Sequence, residues 1–178
     1  MFQEIKPLNT VVALEGSKAI LVCLKREDEI HPIVSGNKFR KLKYNIEAAK
    51  KENKKTLLTF GGAFSNHIAA VAEVGRLFNF KTIGVIRGEE LASKINENAT
   101  LKYAKDCGMV FKFVTRSHYR AKDSLVFTAL LKQEFGDFYC IPEGGTNALA
   151  VKGCEEILKE EDFNFNYICA SVGTGGTL

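Results

Sequence analysis

Short apolar runs alternate with longer amphipathic runs along this chain, and this alternation limits the possible folds more than any other feature. The apolar runs have the length of buried strands and are bounded by Gly, Pro, Asn or charged residues. They are Ala19–Leu24, Thr56–Phe60, Lys81–Ile86, Val110–Val114, Phe138–Ile141 and Tyr167–Val172. The amphipathic runs have helical spacing and are Asn37–Glu52, Ser65–Phe78, Asn96–Cys107, Ser124–Phe135 and Leu149–Lys159. Strand–helix–strand order predicts an α/β fold of parallel sheets flanked by helices.

Composition argues against several classes of function. With 46% apolar and 26% charged residues, the 178-residue chain has the make-up of a soluble globular protein. Its net charge of +4 is spread along the chain, which favours a solvated surface over a nucleic-acid footprint. The five cysteines form no C-x-x-C pair and the three histidines lie far apart, so we expect no metal site. The N-terminus lacks an apolar signal segment and no run reaches membrane-spanning length, so we expect a cytoplasmic protein with no membrane partner.

The first of three motifs comprises residues 35–42, Ser-Gly-Asn-Lys-Phe-Arg-Lys-Leu, at the start of a predicted helix. Three cations within four residues ordinarily form a solvated face, and that interpretation stays open for this motif alone. A helix N-terminus already attracts anions, however, so cations gain nothing there from the helix dipole. They are useful if a bound phosphate is to be held. A partly desolvated lysine near other cations also has the lowered pKa of a reactive amine.

The other two motifs each follow a predicted strand. Residues 61–67, Gly-Gly-Ala-Phe-Ser-Asn-His, allow a sharp turn off the strand end and offer a helix cap. Residues 171–177, Ser-Val-Gly-Thr-Gly-Gly-Thr, expose backbone N–H groups as an anion-binding nest. This second turn lacks the Lys-Ser/Thr of a Walker loop and the third glycine of a dinucleotide fingerprint. A plain glycine turn is an alternative for both motifs, whereas the functional interpretation is a ligand site at the carboxyl ends of parallel strands.

Together the motifs resemble those of the pyridoxal-phosphate enzymes with the two-domain tryptophan-synthase-β-like fold, also called fold type II. The similarity is to the group that contains 1-aminocyclopropane-1-carboxylate deaminase and D-cysteine desulfhydrase. It extends from about Leu14 onward and is carried by residues 25–28 (KRED), 36–42 (GNKFRKL), 65–67 (SNH), 141–147 (IPEGGTN) and the 173–177 turn. Phe64 departs from the pattern, since the family commonly has Gln there.

The resemblance implies pyridoxal 5′-phosphate as the cofactor and a role for each matching residue. Lys38 would hold the cofactor as a Schiff base and move the substrate's α-proton, with Ser65 as a second catalytic residue, and Asn66 would bind the pyridoxal 3′-oxygen. The residues implied for the cofactor phosphate are Lys41, Gly173, Thr174, Gly175, Gly176 and Thr177. The residues implied for the substrate side are Ser65, His67, Gly144, Gly145 and Thr146.

The resemblance also implies how the chain is organised. Residues 1–44 and 139–178 would belong to a large cofactor domain, and residues 45–138 would form a smaller inserted α/β domain. Members of the family continue well beyond the phosphate turn, so we expect a C-terminally truncated chain that is inactive as a fragment. The full-length protein is expected to be a homodimer.

The activity implied for the full-length protein is elimination and deamination of a small amino acid. D-Cysteine, giving pyruvate, sulfide and ammonia, is favoured because desulfhydrase-like members read Ser-Asn-His where deaminases read Ser-Asn-Gln. A 1-aminocyclopropane-1-carboxylate deaminase is the alternative. An alternative of another class is a non-catalytic pyridoxal-phosphate-binding or nucleotide-binding α/β module. A dinucleotide-binding module would have no need of Lys38 in its Gly-Asn-Lys-Phe-Arg-Lys-Leu context.

Overall fold

The computed structural model describes residues 6–13, 16, 20–172 and 175–177. The strands within these residues are β1 (Asn9–Val12), β2 (Val22–Lys25), β3 (Thr56–Gly61), β4 (Lys81–Arg87), β5 (Val110–Val114) and β6 (Tyr139–Ile141). The α-helices are α1 (Asn37–Lys51), α2 (Asn66–Phe78), α3 (Ala99–Asp106), α4 (Arg116–Arg120), α5 (Leu125–Phe135) and α6 (Ala148–Cys154). Short 3-10 helices span Glu27–Glu29, Glu89–Glu97, Glu143–Gly145 and Glu160–Asn164.

The main sheet has four parallel strands in the order β5-β4-β3-β6. β3 is central, with Thr59 opposite Gly84 of β4 on one side and Ile141 of β6 on the other. Because the strands are parallel, the turn that follows β3 and the turn that follows β6 emerge at the same edge of the sheet. This edge carries the 61–67 motif and the 141–147 segment of the family resemblance.

Helices cover both faces of the main sheet, and the side chains of β3 alternate between the two cores as a pleated strand requires. Leu57 points to one face and Leu58 and Phe60 to the other. The first core contains Leu42, Ile46, Ile68, Val71, Ile86, Leu101 and Ile141, from α1, α2, α3 and the strands. The second core contains Ile83, Val85, Val114, Tyr119 and Leu131, from the strands, α4 and α5.

The α/β fold with a parallel sheet flanked by helices is confirmed, but three local predictions need correction. Ala19–Leu24 was expected to be a buried strand; Ala19 lies outside the described residues, and β2 instead forms an antiparallel pair with β1. The helix predicted over Leu149–Lys159 ends at Cys154. Tyr167–Val172 forms no strand, because a strand needs a hydrogen-bonded neighbour and no described segment pairs with it.

The division into a large domain and an inserted domain of residues 45–138 stays a prediction. β6 starts at Tyr139, directly after the expected boundary, and pairs with β3 inside the expected insert. The main sheet therefore extends past residue 138. None of the described helices is long and apolar enough to cross a membrane.

Candidate active site

The first turn of α1 brings two lysines onto one face of the helix. α1 begins at Asn37 after Gly36, which has a φ of 57° that a residue with a side chain rarely adopts. Lys38 and Lys41 are three residues apart, so their side chains lie next to each other on the helix surface. The geometry therefore makes the two lysines neighbours, and their action at one site stays a prediction.

Lys38 is half-buried and points toward the 3-10 turn at Glu143–Gly145. Its Nζ donates a hydrogen bond to the carbonyl oxygen of Gly144 at 3.2 Å. Burial lowers the pKa of Lys38, and the positive charge of Lys41 lowers it further. Since only the unprotonated amine can attack a carbonyl carbon, both effects favour the nucleophilic form of Lys38.

Lys41 belongs to a polar cluster that also contains Asn37, Thr146 and Thr177. The Lys41 Nζ donates to Thr146 Oγ1 at 3.2 Å, and the Asn37 amide donates to Thr177 Oγ1 at 3.1 Å. Burial lowers the pKa of Lys41, which is 1% exposed. The polar cluster therefore joins the start of α1 to the turn after β6 and to the glycine turn near residue 176.

Gly176 allows the close approach within the polar cluster. A Cβ atom at this position would lie 2.5 Å from Cγ2 of Thr146, so no larger residue fits without displacement. Gly175 has a φ of 80°, as expected for a turn that exposes backbone N–H groups. Gly173 and Thr174, which were predicted to bind the same phosphate, lie outside the described residues.

The donors of the polar cluster fit a phosphate group. The cluster contains an ammonium, two hydroxyls and an amide, and phosphate oxygens accept hydrogen bonds from all three kinds of donor. The amine of Lys38 lies on the same face of α1, where an aldehyde on the same ligand could reach it. The arrangement can therefore hold a phosphorylated aldehyde by a covalent bond at one end and by its anion at the other.

Ser65 and Asn66 lie at the carboxyl edge of the main sheet, at the start of α2. Ser65 is the N-cap residue but its side chain makes no capping hydrogen bond, and it is half-buried. Asn66 is exposed. The turn before them requires glycine at Gly61, where a Cβ atom would lie 2.6 Å from Cγ1 of Ile68. Both predicted site residues thus lie at the surface of the same edge.

His67 lies beneath this edge, at 1% exposure. Its Nε2 is 2.8 Å from Thr59 Oγ1, and the Thr59 hydroxyl donates to the Ile141 carbonyl oxygen at 2.9 Å. Because that hydroxyl has one hydrogen, we assign the imidazole proton to Nε2. Nδ1 makes no hydrogen bond with any described residue, and the ring packs against Gly145, where a Cβ atom would lie 3.1 Å from Cε1.

The environment of His67 keeps the imidazole neutral. Burial lowers its pKa to about 3, the positive charges of Lys38 and Lys41 act in the same direction, and the nearby Pro142 carbonyl opposes them. His67 therefore has no charge at neutral pH. The structure brings it close to Lys38, Lys41 and Gly145, but packs it under the turn rather than in an open cleft.

Sequence reasoning missed two residues of this arrangement. Thr59 is a polar residue inside a predicted strand whose other interior residues are apolar, and that position was the available signal. Asn37 belongs to the first motif but received no role. The contact between Lys38 and Gly144 had no local signal, because 106 residues separate them.

Comparisons with known proteins find matches along nearly the whole chain. Residues 3–178 match a family model described as pyridoxal-phosphate dependent enzyme. A candidate 1-aminocyclopropane-1-carboxylate deaminase of Thermotoga maritima is 31% identical over 97% of this chain and 56% of its own length. A mitochondrial bifunctional D-cysteine desulfhydrase/1-aminocyclopropane-1-carboxylate deaminase of Arabidopsis thaliana is 28% identical over 87% of this chain and 42% of its own length.

A solved structure shows the same fold. The crystal structure of a 1-aminocyclopropane-1-carboxylate deaminase homologue superimposes with a TM-score of 0.76 at 23% identity. The match covers 99% of this chain and 55% of the homologue. The chain thus spans about half the length of the relatives it matches.

Proposed function

This chain belongs to the family of pyridoxal-phosphate-dependent enzymes, and from that premise we propose that the complete protein eliminates and deaminates a small amino acid. The observation that carries the proposal is the position of Lys38. Its amine has a lowered pKa and lies on the same helix face as Lys41, whose ammonium is part of a donor set suited to phosphate. When bound, the cofactor supplies an electron sink for the carbanion formed at the substrate's α-carbon.

The proposed cofactor ligands among the described residues have positions that support their roles. Lys38 would form the covalent link, and Lys41 with Thr146 would bind phosphate oxygens. The Gly173–Thr177 turn would add backbone N–H groups, the donors that anion-binding nests use. Asn66, exposed at the sheet edge, would donate its amide to the pyridoxal 3′-oxygen.

The proposed substrate side consists of Ser65, His67 and the Gly144–Thr146 loop. Ser65 is half-buried at the start of α2, where its hydroxyl can bind a substrate carboxylate and hold it against the helix N-terminus. The neutral His67 can accept a hydrogen bond through Nδ1. Gly145 covers the imidazole, so direct contact with a substrate requires the Gly144–Thr146 loop to move.

D-Cysteine is the proposed substrate. A thiolate is a good leaving group, so its elimination needs only an α-carbanion and the electron sink of the cofactor. The Ser-Asn-His sequence at 65–67 supports this choice by its likeness to desulfhydrase members of the family. Ring opening of 1-aminocyclopropane-1-carboxylate is the second candidate, favoured by the name of the Thermotoga maritima relative; it needs further groups placed at the cyclopropane carbons.

Borohydride reduction tests the proposal on the complete protein. Incubation with pyridoxal 5′-phosphate followed by reduction should attach the cofactor to the peptide that contains Lys38. Lys38→Ala should abolish the attachment, whereas Lys43→Ala should not, because Lys43 lies on α1 but forms an ion pair with Glu156. Attachment at Lys41 or Lys25 instead of Lys38 would refute the assignment.

A further inference from the structure

Arg40 is held in a buried bidentate ion pair close to the proposed active site. Its guanidinium is 2% exposed, and its Nε and Nη2 donate to the two carboxylate oxygens of Glu27, both at 2.8 Å. Glu156 supplies a second carboxylate, with Oε2 at 3.7 Å from Nη1. A bidentate pair fixes the direction of the two groups as well as their distance. Arg40 is therefore fixed relative to the segment that contains Glu27.

Arg40 does not share the lysine face of α1. Residues three apart on a helix are neighbours, whereas residues two apart do not face each other. Lys38 therefore faces Lys41 and not Arg40. Any influence of Arg40 on Lys38 has to pass through the position of the helix itself.

Glu27 contacts the first turn of α1 at two points. Its backbone carbonyl accepts a hydrogen bond from the Gly36 N–H at 2.8 Å, and its carboxylate holds Arg40. Gly36 is the N-cap residue of α1, so the two contacts are about one helical turn apart. Two contacts at this separation fix both the rotation of the helix about its axis and its position along that axis.

Helix α6 confines the same turn from another side. Gly153 of α6 lies directly against the Arg40 backbone, and a Cβ atom there would overlap the Arg40 carbonyl oxygen. α6 begins two residues after Thr146, the partner of Lys41. The first turn of α1 is thus enclosed by Glu27 and by the helix that follows the Gly144–Thr146 loop.

We propose that the Glu27–Arg40 ion pair is a positioning element, which fixes the first turn of α1 so that the amine of Lys38 reaches the aldehyde of the bound cofactor. This inference rests on the proposed function, since it assumes that Lys38 forms the covalent link. Arg40 and Glu27 touch neither cofactor nor substrate in this role. Their loss should impair the covalent step more than it impairs cofactor binding.

The test compares two ligands in the complete protein carrying Arg40→Lys, which keeps the charge but loses the planar fork. Pyridoxine 5′-phosphate has the ring and the phosphate but no aldehyde, so it reports binding alone. Borohydride trapping of pyridoxal 5′-phosphate reports the rate of the link to Lys38. We expect the link to form roughly tenfold more slowly in the variant than in the unaltered protein, since a displacement of about 1 Å can cost a hundredfold in rate. The affinity of the variant for pyridoxine 5′-phosphate should stay within about twofold of that of the unaltered protein. Glu27→Gln, which keeps the shape of the side chain, should have the same effect.

Arg76→Lys is the control for losing a planar fork, because Arg76 forms another bidentate pair on α2, where its side chain is 57% exposed. Its Nε and Nη2 lie 2.8 and 2.6 Å from the carboxylate oxygens of Glu73. This variant should link the cofactor at the unaltered rate, with any loss of melting temperature measured alongside. An unaltered rate in Arg40→Lys, or equal slowing in both variants, would overturn this inference alone. Failure of the unaltered protein to link at Lys38 would overturn the proposed function and the inference together.

Discussion

The Nζ atom of Lys38 lies 3.2 Å from the carbonyl oxygen of Gly144, so the proposed cofactor lysine is hydrogen-bonded to the proposed substrate loop. A lysine ammonium has three N–H donors, whereas a lysine nitrogen bonded to an aldehyde carbon keeps at most one. Formation of the covalent link therefore leaves at most one donor for the contact with Gly144. The turn at Glu143–Gly145 is where we expect the described site to change most.

Gly145→Ala should destabilise the protein for two separate reasons. Gly145 has a φ of 78°, and placing alanine in such a conformation costs about 1–3 kcal/mol. The added methyl group would also lie 3.1 Å from Cε1 of the buried His67. We expect the free energy of unfolding, measured by denaturant titration, to fall by about 2–4 kcal/mol as the sum of the backbone cost and a tight core contact.

Gly136→Ala separates the two reasons. Gly136 has a φ of 74°, and a Cβ atom there would meet nothing within 4 Å. This control also carries the cost of a positive φ, but it lacks the contact with His67. Equal losses of unfolding free energy in the two variants would show that the packing of Gly145 on His67 does not contribute to stability.

His67 should make stability fall as the pH is lowered below its ordinary pKa. Its pKa is lowered from 6.5 to about 3 in the folded protein, so between these values the unfolded chain binds a proton that the folded protein does not. Stability is then fully present above pH 6.5 and falls with decreasing pH until the folded form also protonates near pH 3. Between pH 6.5 and pH 5 the loss from this one group should be about 1–2 kcal/mol.

The pH prediction is checked with His67→Gln, which has no proton to bind in this range. The difference in unfolding free energy between this variant and the unaltered protein should shrink as the pH falls from 7.5 to 5. His118→Gln is the control, since His118 is exposed on α4. A difference that is independent of pH for His67→Gln would contradict the buried neutral imidazole.

The local sequence was sufficient to predict those elements that depend on contacts between residues close together in the chain. Val110–Val114 was predicted and observed with the same bounds. Lys38 and Lys41 could be placed together because a helix brings residues three apart onto one face. In each case the relevant contact lies within a few residues along the chain.

The remaining features depend on partners that are distant in sequence. Tyr167–Val172 has the apolar character of a strand, but a strand forms only where a neighbour supplies hydrogen bonds. The resemblance implied a substrate-facing role for His67, yet Thr59 and Gly145 enclose it. Thr59 stands out as a polar residue inside a predicted strand, but nothing in the local sequence identifies His67 as its partner.

Lys41→Met should raise the pKa of Lys38 in the cofactor-free protein. Burial is the larger cause of the lowered pKa of Lys38 and remains in the variant, whereas the repulsion from Lys41 is removed. With a higher pKa, less Lys38 is unprotonated near pH 8, so its acetylation by an amine-selective reagent should slow by about twofold to fivefold. Site-resolved mass spectrometry measures this rate.

Lys43→Met controls for the loss of a positive charge from α1. Lys43 interacts with Glu156 and is not a cause of the lowered pKa of Lys38. It should leave the acetylation rate of Lys38 unchanged while removing the same charge. Faster acetylation in Lys41→Met would contradict the repulsion between the two lysines.

The substrate preference of the complete protein should depend on His67. We expect kcat/KM for D-cysteine to exceed that for 1-aminocyclopropane-1-carboxylate, because thiolate departure needs fewer placed groups than ring opening.

His67→Gln converts Ser-Asn-His into Ser-Asn-Gln, and glutamine replaces a neutral ring packed on Gly145 with a flexible amide that donates as well as accepts. The ratio of the two kcat/KM values should shift toward the cyclopropane substrate by roughly tenfold, a size that one altered pocket contact can produce. His118→Gln should leave the ratio unchanged. Faster turnover of the cyclopropane substrate by the unaltered protein would instead establish the deaminase, and a ratio insensitive to His67→Gln would place the specificity in other residues.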